Sequence, residues 1–249
     1  MTSLGSDTLI PESQRQEYWE ECRDFIEKYA LWKMGPWPWS LPILAKQPKD
    51  VKNKKYYSWQ FYTGKATCDY NINHKLSILA LDALLPIWKK KKFQIAAIET
   101  SGTPIALGML YASQEFDVYK GLTFFRVRKE YKEYGLKNVI EGRVTSRRPV
   151  LMVDDLVSST ESAYNAWWRM KNNEKMKISD YMFAIIQKHI KQNDPGIDKP
   201  MDYTGTKDMV SEDTYSIKTI NLFYLDDFSV GDIQVATKVI VDGIEKHTN

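Results

Sequence analysis

The stretch Val150-Leu151-Met152-Val153-Asp154-Asp155-Leu156-Val157-Ser158-Ser159-Thr160-Glu161-Ser162 decides the fold of this chain. Its first four residues are apolar with no polar alternation, which predicts a strand buried on both faces and hence a parallel sheet. The strand is predicted to end at Asp154-Asp155. A hydroxyl-rich turn follows, and Ala163 to Met170 is predicted to be helical. A buried strand, a short turn and a helix form half of a βαβ unit, the building block of α/β folds.

Working outward, the same alternation recurs. Phe93 to Ile98 predicts a short apolar strand that ends at Glu99-Thr100-Ser101-Gly102, with a helix over Pro104 to Ala112. Further strands are predicted at Leu122–Val127, Tyr181–Ile186 and Thr219–Tyr224, and a closing helix at Asp232–Ile244. Upstream, Tyr57, Trp59 and Phe61 alternate with polar residues, Gly64-Lys65 reads as a turn, and Asp69 to Ile72 reads as extended. His74 to Trp88 predicts a helix kinked or ended near Pro86, running into Lys89-Lys90-Lys91-Lys92. Lysines at a helix C-terminus complement the dipole, so this run reads as a solvated helix end. Residues 1–55 form an amino-terminal extension: an amphipathic helix over Pro11–Trp32, then the loop Gly35-Pro36-Trp37-Pro38-Trp39-Ser40-Leu41-Pro42. Residues 56–249 form the main domain, with a polar insertion at about 191–215.

Composition bounds the rest. The chain has 249 residues, with 8 Trp, 15 Tyr and 9 Phe, which excludes disorder as a global description. Its 35 Lys and Arg against 32 Asp and Glu leave a formal charge of +3, which argues for no nucleic-acid partner. Two cysteines, Cys22 and Cys68, and three histidines, His74, His189 and His247, are too few for a disulfide framework or a Cys/His zinc site. No signal peptide or membrane span is legible, so the expected location is the cytoplasm.

Ligands of open parallel sheets bind beyond the carboxyl ends of the strands. Two adjacent carboxylates there repel each other and lose hydration, so something must compensate. Ribose hydroxyls or a hydrated Mg²⁺ would do so. The free N–H groups and dipole of the next helix favour a phosphate. Diol-binding acids beside a phosphate cradle describe a site for a ribose 5-phosphate. Two other readings stay open on spacing alone. One is an ordinary Asp and Ser/Thr helix cap; the other is the Mg²⁺ pair of an ATPase, although no Gly-x-x-x-x-Gly-Lys-[Ser/Thr] occurs.

Val150 to Ser162 resembles the ribose-phosphate signature of type I phosphoribosyltransferases, and three other segments resemble the orotate phosphoribosyltransferase branch in the same order. Phe61 to Tyr70 is similar to its base-side hairpin, and Glu99 to Ala106 to its pyrophosphate loop. Arg128 to Gly135 with Ile140-Glu141-Gly142 is similar to its mobile catalytic loop and return strand. The resemblance implies an α/β fold with a central parallel sheet flanked by helices and a small amino-terminal hood. It implies that Asp154 and Asp155 hold the ribose hydroxyls and Mg²⁺. Thr100, Ser101 and Gly102 would face pyrophosphate, and Ser158, Ser159, Thr160, Glu161 and Ser162 would enclose the 5-phosphate. Arg128, Lys129 and Lys132 would stabilise the departing pyrophosphate.

The implied activity is Mg²⁺-dependent transfer of ribose 5-phosphate from phosphoribosyl pyrophosphate to a nucleobase, with orotate favoured, in pyrimidine nucleotide synthesis. The implied assembly is a homodimer. Four positions depart from the pattern. Thr160 and Glu161 stand where the family has glycine, Tyr134 where the orotate enzymes have histidine, and Tyr62 where they have lysine. A carboxylate ~5 Å from the phosphate costs ~3 kcal/mol per unit of phosphate charge at an effective dielectric of ~20, unless it points outward. Rival readings are therefore a non-catalytic phosphoribosyl pyrophosphate or nucleotide binder with a regulatory role, and a transferase for another base.

Overall fold

The computed structural model describes residues 8–33, 43–44, 56–57, 59–128, 138–145, 147–157, 161–174, 176–187, 201–202 and 216–229. Helix α1 (Glu12–Phe25) opens the chain and passes into a π-helical turn, Ile26–Ala30. The predicted helix over Pro11–Trp32 thus stops early. Leu31 to Lys33 form β1 instead, paired antiparallel with β4 (Trp59–Phe61), so that Leu31 lies opposite Phe61 and both are buried. A second small pair joins β2 (Ile43–Leu44) to β3 (Tyr56–Tyr57). These pairs form the hood. The predicted Gly35–Pro42 loop and the closing helix lie outside the described residues.

Two local expectations are corrected after the hood. Gly64-Lys65 opens a short helix, α2 (Gly64–Thr67), rather than a plain turn. Asp69 to Ile72 is not extended. The Asp69 carboxylate accepts a bond from the Ile72 N–H at 3.0 Å and caps α3 (Tyr70–Lys90), satisfying a donor the helix itself leaves unpaired. Pro86 sits inside α3 without ending it. Its lost N–H costs the Asp82 carbonyl a partner, but Leu84, Leu85 and Trp88 around it are buried. Trp88 Nε1 also donates to the Val118 carbonyl at 2.7 Å, so packing holds the helix through the proline.

The main sheet contains β5 (Gln94–Ile98), β6 (Phe124–Val127), β7 (Ile140–Glu141), β8 (Val150–Val157), β9 (Ile178–Gln187), β10 (Met201–Asp202) and β11 (Ser216–Tyr224). Their spatial order is β10-β11-β9-β8-β5-β6-β7, with parallel pairing throughout the inner five and antiparallel pairing at both edges. Helix α4 (Gly102–Ala112) connects β5 to β6, and α5 (Glu161–Glu174) connects β8 to β9.

Alternation along the strands divides the core into two layers. Ile95, Ala97, Leu151 and Val153 pack against α1, α3 and α4, while Ala96, Ile98, Met152 and Ala184 pack against Ala163, Trp167 and Met170 of α5. A mostly parallel sheet covered by helices on both faces is what the apolar strands predict. Among the described residues no helix is long and apolar enough to cross a membrane.

The amino-terminal helix is built into this core. Cys22 and Ile26 are fully buried, Arg15 Nε donates to Asp82 Oδ2 at 2.8 Å, and Trp19 Nε1 donates to the Leu222 carbonyl at 3.0 Å. Burial pushes the Cys22 thiol up to about 12 from 9.0, despite the nearby Lys75 ammonium. Burial also pushes the Tyr119 hydroxyl up. Above pH ~9 the unfolded chain therefore releases protons that the folded chain retains, so stability falls as pH rises. Urea titrations should show a flat midpoint from about pH 7 to 8.5 and a decline beyond about pH 9, shallower in Cys22→Ala. A thiol reagent should modify one cysteine, the exposed Cys68, in the native protein and both in denaturant.

Candidate active site

The crossover from β5 leads through α4 to β6 on one side, and that from β8 leads through α5 to β9 on the other. The strand order therefore reverses between β5 and β8, the place where open α/β sheets hold ligands. β5 stops at Ile98, but β8 continues to Val157 with Asp154 opposite Ala184, Leu156 opposite Ile186 and Val157 opposite Gln187. The predicted end of the strand at Asp154-Asp155 is thus corrected: both acids lie within it, because β9 still pairs with their neighbours. From Asp154 onward β8 has a strand on its β9 side only, which leaves a gap beside it.

The loop Glu99–Gly102 borders that gap. A Cβ on Gly102 would stand 2.3 Å from the Val153 carbonyl oxygen and 3.3 Å from the Asp154 Cα, so only glycine admits this backbone approach. Thr100 and Ser101 are exposed beside it, and the Glu99–Thr100 peptide is cis. Loop and acid, 52 residues apart in sequence between Gly102 and Asp154, are brought into van der Waals range.

The two carboxylates differ. Alternation puts them on opposite faces of β8. Asp154 is partly exposed, and its Oδ1 accepts the Asp155 N–H at 2.9 Å. Asp155 is 9% exposed, and its carboxylate accepts the hydroxyl of the buried Thr63, at the end of the hood. A second tie lies nearby. Asn73 Nδ2 donates to the Thr67 carbonyl at 2.6 Å and to the Pro104 carbonyl at 3.1 Å, joining the end of α2 to the start of α4. Gly108 leaves the space for it, since a Cβ there would come within 2.3 Å of both Asn73 Oδ1 and Ser77 Oγ. The hood is thus fastened to both walls of the gap.

Arg128 leaves β6 at the rim. Its guanidinium lies between Glu99 at 3.6 Å and Glu141 at 3.1 Å, and its carbonyl accepts Arg169 Nη1 of α5 at 2.6 Å. Glu141 is shared with Arg126. Ser162 is exposed in the first turn of α5, and Glu161 is the first residue of that helix. Lys129, Lys132, Ser158, Ser159 and Thr160 lie outside the described residues. The structure brings the loop of Thr100, Ser101 and Gly102 against the Asp154 backbone through Gly102, while Asp155 is turned to Thr63. Thr63, Asn73, Glu99 and Glu141 carry no local motif that would have singled them out in these contacts. His74 is not at the gap; its Nε2 meets Glu115 at 2.6 Å.

No protein-family model matches this sequence. Over 100 residues it is 27% identical to the orotate phosphoribosyltransferase of Methanocaldococcus jannaschii, covering 40% of this chain. The match spans about half of that relative's length, 52%. In structure the chain is similar to the orotate phosphoribosyltransferase of Mycobacterium tuberculosis (TM-score 0.56, 12% identity, 84% of this chain and 98% of that one). It is also similar to the orotate phosphoribosyltransferase of Aeropyrum pernix (TM-score 0.54, 11% identity, 90% and 98%). A phosphoribosyltransferase of Corynebacterium diphtheriae gives a TM-score of 0.55 at 12% identity, over 85% of this chain and 98% of that one. The fold is that of the type I phosphoribosyltransferases. On this type I fold the reversal of strand order, the glycine-approached loop and the acids of β8 stand together.

Thr63→Val removes the donor to a buried carboxylate and is expected to cost about 1–3 kcal/mol in urea unfolding, whereas Thr63→Ser keeps the hydroxyl and most of the stability. Gly102→Ala is expected to destabilise by about 1–3 kcal/mol, because the backbone atom it meets has no rotamer with which to yield.

Proposed function

We propose that this chain binds phosphoribosyl pyrophosphate at the β5/β8 gap and transfers its ribose 5-phosphate to a nucleobase, orotate being the favoured base. The observation that carries the reading is the approach of the Gly102 loop to Asp154 at the reversal of strand order. The names of the relatives point the same way. Asp154, the more exposed acid, accepts the ribose hydroxyls, and Asp155 supports it from behind, held by Thr63. Thr100 to Gly102 offer backbone N–H groups to pyrophosphate, and the start of α5 offers its N-terminal donors to the 5-phosphate.

The reaction breaks the bond from the anomeric carbon to the pyrophosphate oxygen, which leaves with the electron pair. A nitrogen of the base forms the new bond and gives up its proton. Positive charge grows on the ribose and negative charge on pyrophosphate, so cations favour the transition state over the ground state, the role we assign to Arg128 at the rim and to Lys129 and Lys132, which follow it in sequence. Among the described residues no group of three or more His, Cys, Asp or Glu could enclose a metal. The donor set instead fits Mg²⁺ held by Asp154 and substrate oxygens, the usual arrangement for a cation that keeps much of its water, while Asp155, on the other face of β8 and bonded to Thr63, is turned away from that position. When bound there, it would supply charge neutralisation of the phosphates.

A second reading, a binder without turnover, is favoured by Glu161 at the first position of α5. An acidic residue there takes up the favourable dipole field that a phosphate would use. Calorimetric titration with phosphoribosyl pyrophosphate and Mg²⁺ should show binding that Asp154→Asn weakens by at least about tenfold, the scale of one charge-assisted bond. Pyrophosphate release should then follow on adding orotate. Binding without release on any of a panel of bases would establish the second reading, and no binding by the wild type would remove both.

A further inference from the structure

The opposite end of the sheet has a different chemistry. The four connections that enter β5, β6, β8 and β9 are 91–93, 120–123, 142–149 and 175–177. Together they contain eight Lys and Arg and not one Asp or Glu. The strands they enter are consecutive neighbours in the order β9-β8-β5-β6, so the connections stand side by side along one end of the sheet. At about 4.8 Å per strand the row is roughly 15 Å wide. The lysine run at the end of α3 is therefore one part of a larger feature. The near-neutral charge of the whole chain conceals it, because the balancing acids lie elsewhere in the sequence, five of them on α1 alone (Glu12, Glu17, Glu20, Glu21 and Asp24).

Among the described residues, six cations of this row meet no carboxylate. Elsewhere Arg15, Arg23, Lys33, Lys75, Arg126 and Arg128 each meet a carboxylate, while the scattered Lys28, Lys65 and Lys218 do not. Among the described residues, Lys92, Lys120, Arg143, Arg147, Arg148 and Lys177 form no ion pair. Six unpaired like charges side by side repel one another, and a multivalent anion relieves that repulsion.

Two cavities in the row tell which anion. Near β6, a cavity of about 520 Å³ is lined by Arg143, Arg148, Thr123 and Thr145, and the buried Thr123 hydroxyl has no hydrogen-bond partner. Planar guanidinium groups with hydroxyl donors match phosphate oxygens. Near β9, a cavity of about 420 Å³ has an apolar floor of Ile87, Phe93, Ile178 and Tyr181, with Lys90 and Lys177 at its edge. An apolar cavity bordered by ammonium groups suits an unstacked base. Phosphate cradle and base slot stand about three strands apart in one basic row, which is the pattern of single-stranded nucleic-acid binding.

We propose that the amino-terminal end of the sheet is a binding surface for single-stranded nucleic acid, separate from the β5/β8 gap and independent of what that gap binds. The row neutralises about four phosphates. Bases enter the cavity near β9 without sequence-specific contacts.

The test is fluorescence anisotropy of the full chain with a labelled single strand of about 20 mixed nucleotides, between about 50 and 200 mM salt. Binding is expected, with a log–log salt slope near about −3, from ~0.7 per phosphate over about four phosphates. Arg143→Glu/Arg148→Glu and Lys90→Glu/Lys177→Glu should each weaken it by at least about tenfold, while Arg23→Glu/Lys28→Glu should leave it unchanged. Where charge reversal lowers the melting temperature, the matching Gln pairs should show a smaller loss in the same order. Absence of binding at the lower salt, a flat salt dependence, or an equal loss in the Arg23/Lys28 pair would overturn the proposal. So would capture by phosphatidylserine vesicles without binding of the strand, or tighter binding of the matching duplex.

Discussion

One backbone contact governs the ligand-side edge: the approach of the Gly102 main chain to the Val153 carbonyl. It exists because β5 ends at Ile98 while β8 runs on, so the chain leaving β5 must turn immediately against its neighbour. A side chain at that point would collide with the Val153 carbonyl and push the loop away from Asp154. The buried Asp155, the Thr63 hydroxyl and the Asn73 bridge between α2 and α4 then hold the hood at a fixed height above it. Packing produces the gap, and polar ties give it a roof.

The parts of this arrangement legible from sequence are those encoded by local pattern. Apolar strands such as Gln94–Ile98 and Val150–Val153 revealed the parallel sheet, and the acids and the Gly102 loop stood out because chemistry-bearing residues followed such strands. Boundaries depended on partners that no local window contains. Leu31 to Lys33 left the helical pattern because Trp59 to Phe61 offered a strand to pair with. Asp155 seemed equivalent to Asp154 until its partner, 92 residues earlier, proved to be a hydroxyl of the hood. Asp69 has the residue type of a helix cap, and reading it as strand overlooked that local signal.

Charge was the quantity most distorted by averaging. A formal +3 over 249 residues describes a nearly neutral protein, yet the sheet does not spread its signs evenly. The connections that enter β5, β6, β8 and β9 carry cations alone, while the carboxyl end mixes Glu99, Asp154 and Asp155 with Arg126 and Arg128. Helix geometry contributes to this: α3 delivers its lysines to the start of β5, and basic residues at a helix end are favoured by the dipole. The lysine run therefore has a structural cause as well as neighbours that extend it.

The bond from Trp19 to the Leu222 carbonyl joins residues 203 positions apart. At about 5–20 residues per second, ribosomal synthesis separates their appearance by roughly 10–40 s. Helix α1 therefore emerges first but meets its β11 partner among the last. Throughout that interval the tryptophan and its apolar neighbours face solvent or a chaperone, and the completed amino-terminal seam depends on translation having reached β11.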